Sequence, residues 1–536
     1  MTRLHHETDV LIVGGGPVGL ALALDLRYRG VRFLVLDASD GGVPHQGAST
    51  VGARSMELFR RWGVADAIRA SGWPGDHPLD VAWVTSVGGH EIHRVRRGTV
   101  DSRPPLPHTP EPEQVCPQHR LTPLLAREVG ADPGRPLRLR CRFDGFTQDA
   151  GLVTASATDL RDGARLTFRA RYLVGCDGAE SAVRAAAGIA APARHGTRLL
   201  RDILFRAPRL RGRLGPRGAL VHLLVRPPAL RFPVRAVDGR ELYRLTVGAE
   251  CGQQERGAFG QDAMSLVRTA VGLDTPLELV SERVWHLTHR VADRFRQGRV
   301  LLAGDAARCL PPPGGAGLEA GLCDAADLGW KLTAELAGWA GPGLLDTYDT
   351  ERRPVAGHGV PWRGLRREVP EAVLADSPEG VRARAELAGR LERGGAQGEF
   401  ISPDTVFGVR YDSPVVVPDG PGDFDWRTDA VPGARAPHAW LGAGISTLDL
   451  YGLSYRLLLL AGSERRHDYA QLNGFERAFT DRGVPLRMTH CYAPRVAACH
   501  RLPYVLVRPD GHVAWRGTRL PPDPGALADT VRGGRR

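Results

Sequence analysis

The residues best suited to chemistry are acids standing at the ends of short apolar runs, with glycines close behind them. Residues 300–303 form one such run, ending in Gly304 and Asp305; a Pro/Gly-rich turn at 311–317 and an amphipathic stretch follow. A carboxylate in that position can accept a hydrogen bond from a ribitol-type hydroxyl. A glycine turn opening a helix aims backbone N–H donors and a positive helix end at an electron-rich ring. A flavin, whose reduced ring is negative near its pyrimidine edge, suits this stretch, although an ordinary strand, turn and helix would read the same way.

A second acid raises the case. The apolar run 9–13 leads into Gly14, Gly16, Pro17 and Gly19, a GxGxxG set opening a helix over 18–29. Glycines there let the backbone turn, approach a pyrophosphate and pack the helix on its strand. The next run, 32–36, ends at Asp37, placed to accept a ribose hydroxyl, and strand, glycines, helix, strand and acid in this order predict an adenine-dinucleotide site. A third run reaches Asp177 and Gly178 before another helix start. Arg54, near the start of a helical stretch with Met56, Leu58, Phe59 and Trp62, either reaches a phosphate or is a solvated helix residue. Gln118, preceding the helical piece 120–128, either bonds the cofactor through its amide or is a polar helix-start residue. No Ser/His/Asp set or paired carboxylates stand out.

The elements that must position these residues form an α/β chain of several domains, since 536 residues exceed one ordinary core. Short strands separated by Pro/Gly turns between about 190 and 290 predict an antiparallel sheet inserted between the third acid and the 298–336 element. The expected division is 1–189 (first part of the dinucleotide domain, with a sheet segment at about 75–115), 190–290 (the sheet), 291–398 (its second part and a helical linker) and 399–536 (a separate α/β unit). A Gly-rich tract at 394–398 marks the boundary. A wide apolar pocket forms between a cofactor layer and a second layer, so Trp83, His222, Phe232 and Tyr243 are the candidate substrate residues.

Composition excludes several classes. No run is apolar enough to span a membrane, and no secretory signal is seen, so a cytoplasmic location is expected. Eight cysteines lack CxxC or Cys/His spacing, which argues against disulfides and metal. The net charge of +11 is spread along the chain and is almost all arginine, Lys331 being the only lysine; nucleic acid is not expected as a partner. For the last unit, packing or contact with a second copy in a homodimer is the expected role.

Gly14–Gly19 with Asp37, the Cys-Asp-Gly run at 176–178, and Ala-Gly-Asp-Ala-Ala at 303–307 followed by Pro-Gly-Gly-Ala-Gly resemble, in this order, the signature of the single-component FAD-dependent aromatic hydroxylases, the para-hydroxybenzoate hydroxylase-like family. The strongest likeness is to actinobacterial aromatic-polyketide oxygenases of the tetracenomycin A2 oxygenase type, through ARSMELFRRWG (53–63), GWPGDHPLD (72–80) and HTPEPEQVCPQH (108–119). The stretches 432–441 and 505–515 resemble that family's thioredoxin-like C-terminal domain.

The resemblance implies a Rossmann-like FAD-binding domain with an inserted substrate sheet. It implies NAD(P)H as reductant and transfer of one atom of O2 to a polycyclic aromatic polyketide through a flavin C4a-hydroperoxide, in antibiotic biosynthesis. Baeyer–Villiger or ring-cleaving oxygenation on the same fold is the alternative, a non-catalytic flavoprotein a further one. By the same resemblance Gly14, Gly16, Pro17 and Gly19 hold the pyrophosphate, Asp37 the ribose, and Gly304 and Asp305 the ribityl chain. Gly314, Gly315, Ala316, Gly317 and Leu318 line the ring edge, Asp177 and Gly178 serve FAD and pyridine nucleotide, and Arg54 and Gln118 contact FAD. The Pro312 carbonyl would face the reacting centre. Arg308 stands where the family has His, and Ala316, Glu319 and Ala320 replace Gln, Asn and Thr. An acid at 319 beside a reduced flavin is expected to be costly unless Arg308 or solvent offsets it.

Overall fold

The computed structural model describes residues 5–43, 50–132, 134, 136–193, 198–226, 229–248, 260–310, 316–355, 369–393, 407–420, 424–442, 444–460 and 468–534. Its first sheet has a parallel centre running Val300–Leu302, Arg165–Gly175, His5–Val13, Phe33–Leu36 and Leu137–Arg138, with an antiparallel flank of Cys141–Gln148 and Val153–Asp159 on Arg165–Gly175. Val10, Leu11, Ile12, Leu173, Val174, Val300, Leu301 and Leu302 are fully or almost fully buried. Such continuous apolar runs belong to parallel strands covered on both faces. Because neighbours run parallel, their carboxyl ends lie on one edge, and Val13, Gly175 and Leu302 stand in register there. The three strand-end acids therefore converge by topology.

The second sheet runs Glu278–Leu287, Arg198–Arg206, Leu242–Gly248, Ala229–Ala236, Val221–Arg226, Val81–Val84 and Glu91–Val95. The strands at 81–95, grouped above with the dinucleotide domain, complete this sheet instead. The junction is parallel, Val221 opposite Val81, so the sheet is not wholly antiparallel. One face carries Ala82, Ile203, Phe205, Val234, Tyr243 and Leu245 against the helix Ala263–Val271; the other carries Val81, Trp83 and Val221.

The C-terminal unit is thioredoxin-like. Its sheet order is Leu486–Cys491, Tyr455–Leu460, Tyr504–Val507, Val513–Gly517, the first pair parallel and the rest antiparallel. Its core is shared with the helix Ala316–Ala337: Leu322, Leu328 and Leu332 pack in the dinucleotide core, whereas Trp330 and Ala334 pack with Tyr455, Phe475 and Phe479. A helix apolar on both sides is buried on both sides.

The contact between these units also carries a buried ion cluster. Arg508 pairs with Glu351 (2.7 Å), Asp327 (3.0 Å) and Asp510 (2.6 Å), and Lys331 bonds Asp327 and Glu351 at 2.8 Å each. Arg508 and Lys331 are wholly inaccessible. The Gly-rich boundary expected at 394–398 lies outside the described residues. No described helix is long and apolar enough to cross a membrane, and no metal-ligand cluster occurs among the described residues.

Candidate functional site: a dinucleotide cleft and a basic sheet face

The cleft begins at the first glycine turn. Gly14 has φ +110°, and a Cβ there would meet the Cys176 carbonyl oxygen at 2.3 Å; one on Gly19 would meet the Gly14 carbonyl oxygen at 1.9 Å. These two glycines allow backbone to pack on backbone. Gly16 has open space where a side chain would stand, as do Gly178 and Gly317. Pro17 opens the helix Pro17–Tyr28, where its missing N–H costs nothing. The Asp37 carboxylate accepts from the backbone N–H of Gly15 and Ser39, which fixes it at the strand end.

Asp177 is fixed by its own turn, accepting from the Ser181 hydroxyl and the Val183 N–H. Asp305 differs. Among the described residues no group donates to its carboxylate, which is exposed along the cleft although enough protein surrounds it to raise its pKa, with Asp324 adding to the effect. An unengaged acceptor beside open glycines fits a ribityl chain. Asp305→Ala is expected to weaken FAD binding roughly ten- to hundred-fold, the worth of one or two charge-assisted hydrogen bonds; fluorescence titration of FAD into the stripped protein measures it, and unchanged affinity would remove Asp305 from the site.

Several expectations are corrected. Arg308 is buried, donates to Asp324 at 2.8 Å and packs over the Phe295 ring, so it neither enters the cleft nor offsets Glu319. Asp324 also accepts from Arg352 (2.8 Å) and from the Gly304 N–H (3.1 Å). Arg54 turns to the C-terminal unit, pairing with Glu57 at 2.9 Å and donating to the Asp510 carbonyl at 3.3 Å. Helical spacing sets 54, 57 and 61 on one side of Ala53–Arg61, the side that unit covers. Gln118 is the first residue of the helix Gln118–Gly130 and is half-buried. Leu318 is half-buried against the dinucleotide core. Pro312, Gly314 and Gly315 lie outside the described residues, as do the side chains of Ala316 and Phe232.

Glu319 meets a partner that the sequence did not indicate. Its carboxylate accepts from the Ser55 N–H at 3.3 Å, and a Cβ on Gly52 would meet it at 2.3 Å. Gly52 supplies no side-chain cap to Ala53–Arg61; Glu319 takes that place from 264 residues away. It also stands in the first turn of its own helix. Two positive helix ends thus face one carboxyl. Burial, Glu113 and Glu57 outweigh them and push its pKa up to about 7.

The candidate substrate wall is corrected too. His222 lies beside Ala82 and Val234, near the Arg217 carbonyl, and burial lowers its pKa to about 4. Tyr243 stacks on Phe205. Both face the Ala263–Val271 side. The opposite face holds Trp83, almost wholly buried against Val115 and Leu387, and two arginines missed above, Arg235 and Arg244, paired across neighbouring strands. Arg235 donates to the Thr50 hydroxyl, in the ladder that joins Thr50–Val51 to Gln114–Val115. Its Nε is buried with no partner among the described residues. Burial, Arg244 and Arg97 lower its pKa to about 9. Arg97, one of those arginines, is itself paired with Glu113, an acid that acts on Glu319. The signal was present: positions 235 and 244 are charged in strands whose alternate residues are apolar.

A glycine turn, strand-end acids and an inserted sheet together are the parts of an FAD-dependent aromatic hydroxylase. The chain belongs to that family: residues 7–362 match the FAD binding domain and 429–533 the aromatic-ring hydroxylase C-terminal domain. It is 32% identical to tetracenomycin B2 monooxygenase-dioxygenase of Streptomyces olivaceus, over 98% of each chain, and 33% identical to tetracenomycin A2 monooxygenase-dioxygenase of Streptomyces glaucescens, over 97% of this chain and 95% of the relative. Among solved structures, the rebeccamycin biosynthetic enzyme RebC with reduced flavin is 53% identical over 99% of this chain and 100% of its own, with a TM-score of 0.93. The flavin-dependent monooxygenase PieE, in complex with FAD and substrate, is 30% identical over 98% of each chain, with a TM-score of 0.83. The chain is an enzyme of the flavin-dependent monooxygenase class.

Proposed function

We propose that this enzyme uses NAD(P)H and O2 to place one oxygen atom on a fused polycyclic aromatic substrate that carries an acidic group. The observation that carries the reading is Arg235, a cation on the sheet face away from the helix Ala263–Val271, with a buried Nε, two further arginines acting on it, and a bond to Thr50, two residues before the Gly52 that touches Glu319. A planar guanidinium in low dielectric calls for a carboxylate or equivalent, and such a pair orients a flat substrate by one edge. The RebC complex with bound 7-carboxy-K252c, at 52% identity, favours a carboxylated polycycle over the polyketides of the 32–33% relatives.

Bound FAD would supply the redox chemistry, passing two electrons from the nicotinamide to O2 so that one oxygen atom reaches the substrate and the other leaves as water. The chain's residues hold and orient. Asp37, Asp305 and the open turns at Gly16 and Gly317 would seat the dinucleotide, Arg235 and Arg244 would set the edge of the substrate presented to it, and Trp83 backs that face.

Labelled O2 with candidate polycycles tests the reaction: one labelled atom in the product per NAD(P)H consumed supports monooxygenation, and a labelled lactone or ring-opened acid would mark the Baeyer–Villiger alternative. Arg235→Met is expected to raise KM for a carboxylated substrate by about tenfold or more, with FAD content unchanged. Equal KM values in both proteins would dismiss the acidic-substrate reading.

A further inference from the structure

Outside the cleft, a cavity of about 150 Å³ lies where the helix Ala53–Arg61 meets the C-terminal unit, lined by Tyr28, Arg54, Arg60, Arg61, Asp449 and Tyr451, with Glu57 and Leu448 completing it. Three guanidinium groups face two carboxylates, and both carboxylates are engaged. Glu57 takes Arg54, Arg435 and the Thr109 hydroxyl. Asp449 takes Arg60 through two nitrogens, at 2.8 and 2.9 Å.

Arg61 is the surplus cation. Among the described residues its terminal nitrogens reach only the Pro509 and Asp510 carbonyls, at 3.4 Å, and its buried Nε has no partner. Asp25, the acid acting on it, is already bound by Arg29 and Trp62. Burial together with Arg54 and Arg29 lowers the Arg61 pKa to about 10. Beside it the Tyr451 hydroxyl, on a side chain 2% exposed, has no partner among the described residues either.

We propose that this cavity binds a small oxyanion, phosphate or a carboxylate, which accepts from the free edge of Arg61 and from the Tyr451 hydroxyl and so clasps the C-terminal unit to the dinucleotide domain. A guanidinium edge matches two oxygens of such an anion, and a buried cation with no counter-charge is the arrangement an anion most improves. Chloride offers the charge without the paired oxygens.

The test uses FAD-saturated enzyme, so that the pyrophosphate site is filled, and follows Tm against inorganic phosphate or acetate with sodium chloride at matched ionic strength. Wild type is expected to show a saturable rise in Tm with phosphate or acetate beyond the chloride control. Arg61→Met and Tyr451→Phe are each expected to weaken that dependence at least tenfold. Tyr451→Phe removes a hydroxyl that bonds nothing among the described residues, so it is expected to fold as wild type does. A rise that is identical in wild type and both variants, absent altogether, or matched by chloride would overturn the proposal.

Discussion

Replacing Arg508 by Met is expected to lower the stability of the folded enzyme by about 3–5 kcal/mol, the usual cost of removing one partner from a buried ionic cluster. The side chain is wholly buried and meets three carboxylates, Asp327, Glu351 and Asp510, lying also over the Trp330 ring. Without it Lys331 is the cation left to Asp327 and Glu351, helped at Glu351 only by the neutral Ser413 hydroxyl, and Asp510 keeps the backbone N–H and the ring of His512. Water cannot rescue groups that the packing has sealed. Because Asp327 and Glu351 belong to the dinucleotide domain and Asp510 to the C-terminal unit, the loss should appear first as release of that unit. Urea unfolding gives the stability, and limited proteolysis shows whether the C-terminal fragment frees early; a variant as stable as wild type would mean the cluster contributes nothing.

The second large effect is pH-dependent. The Glu319 pKa rises from its ordinary 4.5 to about 7 in the folded protein, so the folded chain holds that proton more tightly than the unfolded chain does. The stabilising contribution is complete below pH 4.5 and is lost as pH rises through 7. Glu319→Gln keeps an acceptor for the Ser55 N–H and removes the titration. Relative to wild type it should gain stability between pH 5 and 8, by up to about 3 kcal/mol. Parallel stability–pH curves for the two proteins would show that Glu319 stays ionised in the fold. The expectation that Arg308 offsets this acid failed because both side chains found nearer partners, Asp324 for one and a helix end for the other.

The parts of the site legible in sequence are those written locally. Gly14 to Gly19, Asp37, Asp177 and Asp305 each sit in a strand-to-helix turn whose conformation is set within a few residues, and parallel topology then brings them to one edge. Strand alternation likewise shows that Tyr243 and Val234 share a face with neighbours of the same parity. It does not say which face a helix will cover, and so His222 and Tyr243, on the face that Ala263–Val271 covers, were named while Arg235 and Arg244 on the opposite face were passed over. Contacts between distant segments were not legible at all: Gly52 meets Glu319 because the first turn of Ala316–Ala337 packs at the start of the helix Ala53–Arg61, and Arg54 meets Asp510 and Arg61 the turn at 509–510 because the C-terminal unit packs on that same helix. The single lysine is a related case, since nothing near Lys331 in sequence announces that Glu351 and Arg508 will enclose it.

Asp324 also constrains how this sequence can change over time. It receives Arg308, Arg352 and the Gly304 N–H at once, so losing either arginine leaves the acid with a cation, whereas losing the acid strands two. A lineage can therefore gain or lose Arg308 while Asp324 is present, but Asp324 must arrive before that second arginine and depart after it. The order of substitutions is asymmetric even though the contact is mutual, and ancestral reconstructions that reverse it should yield proteins that fold poorly.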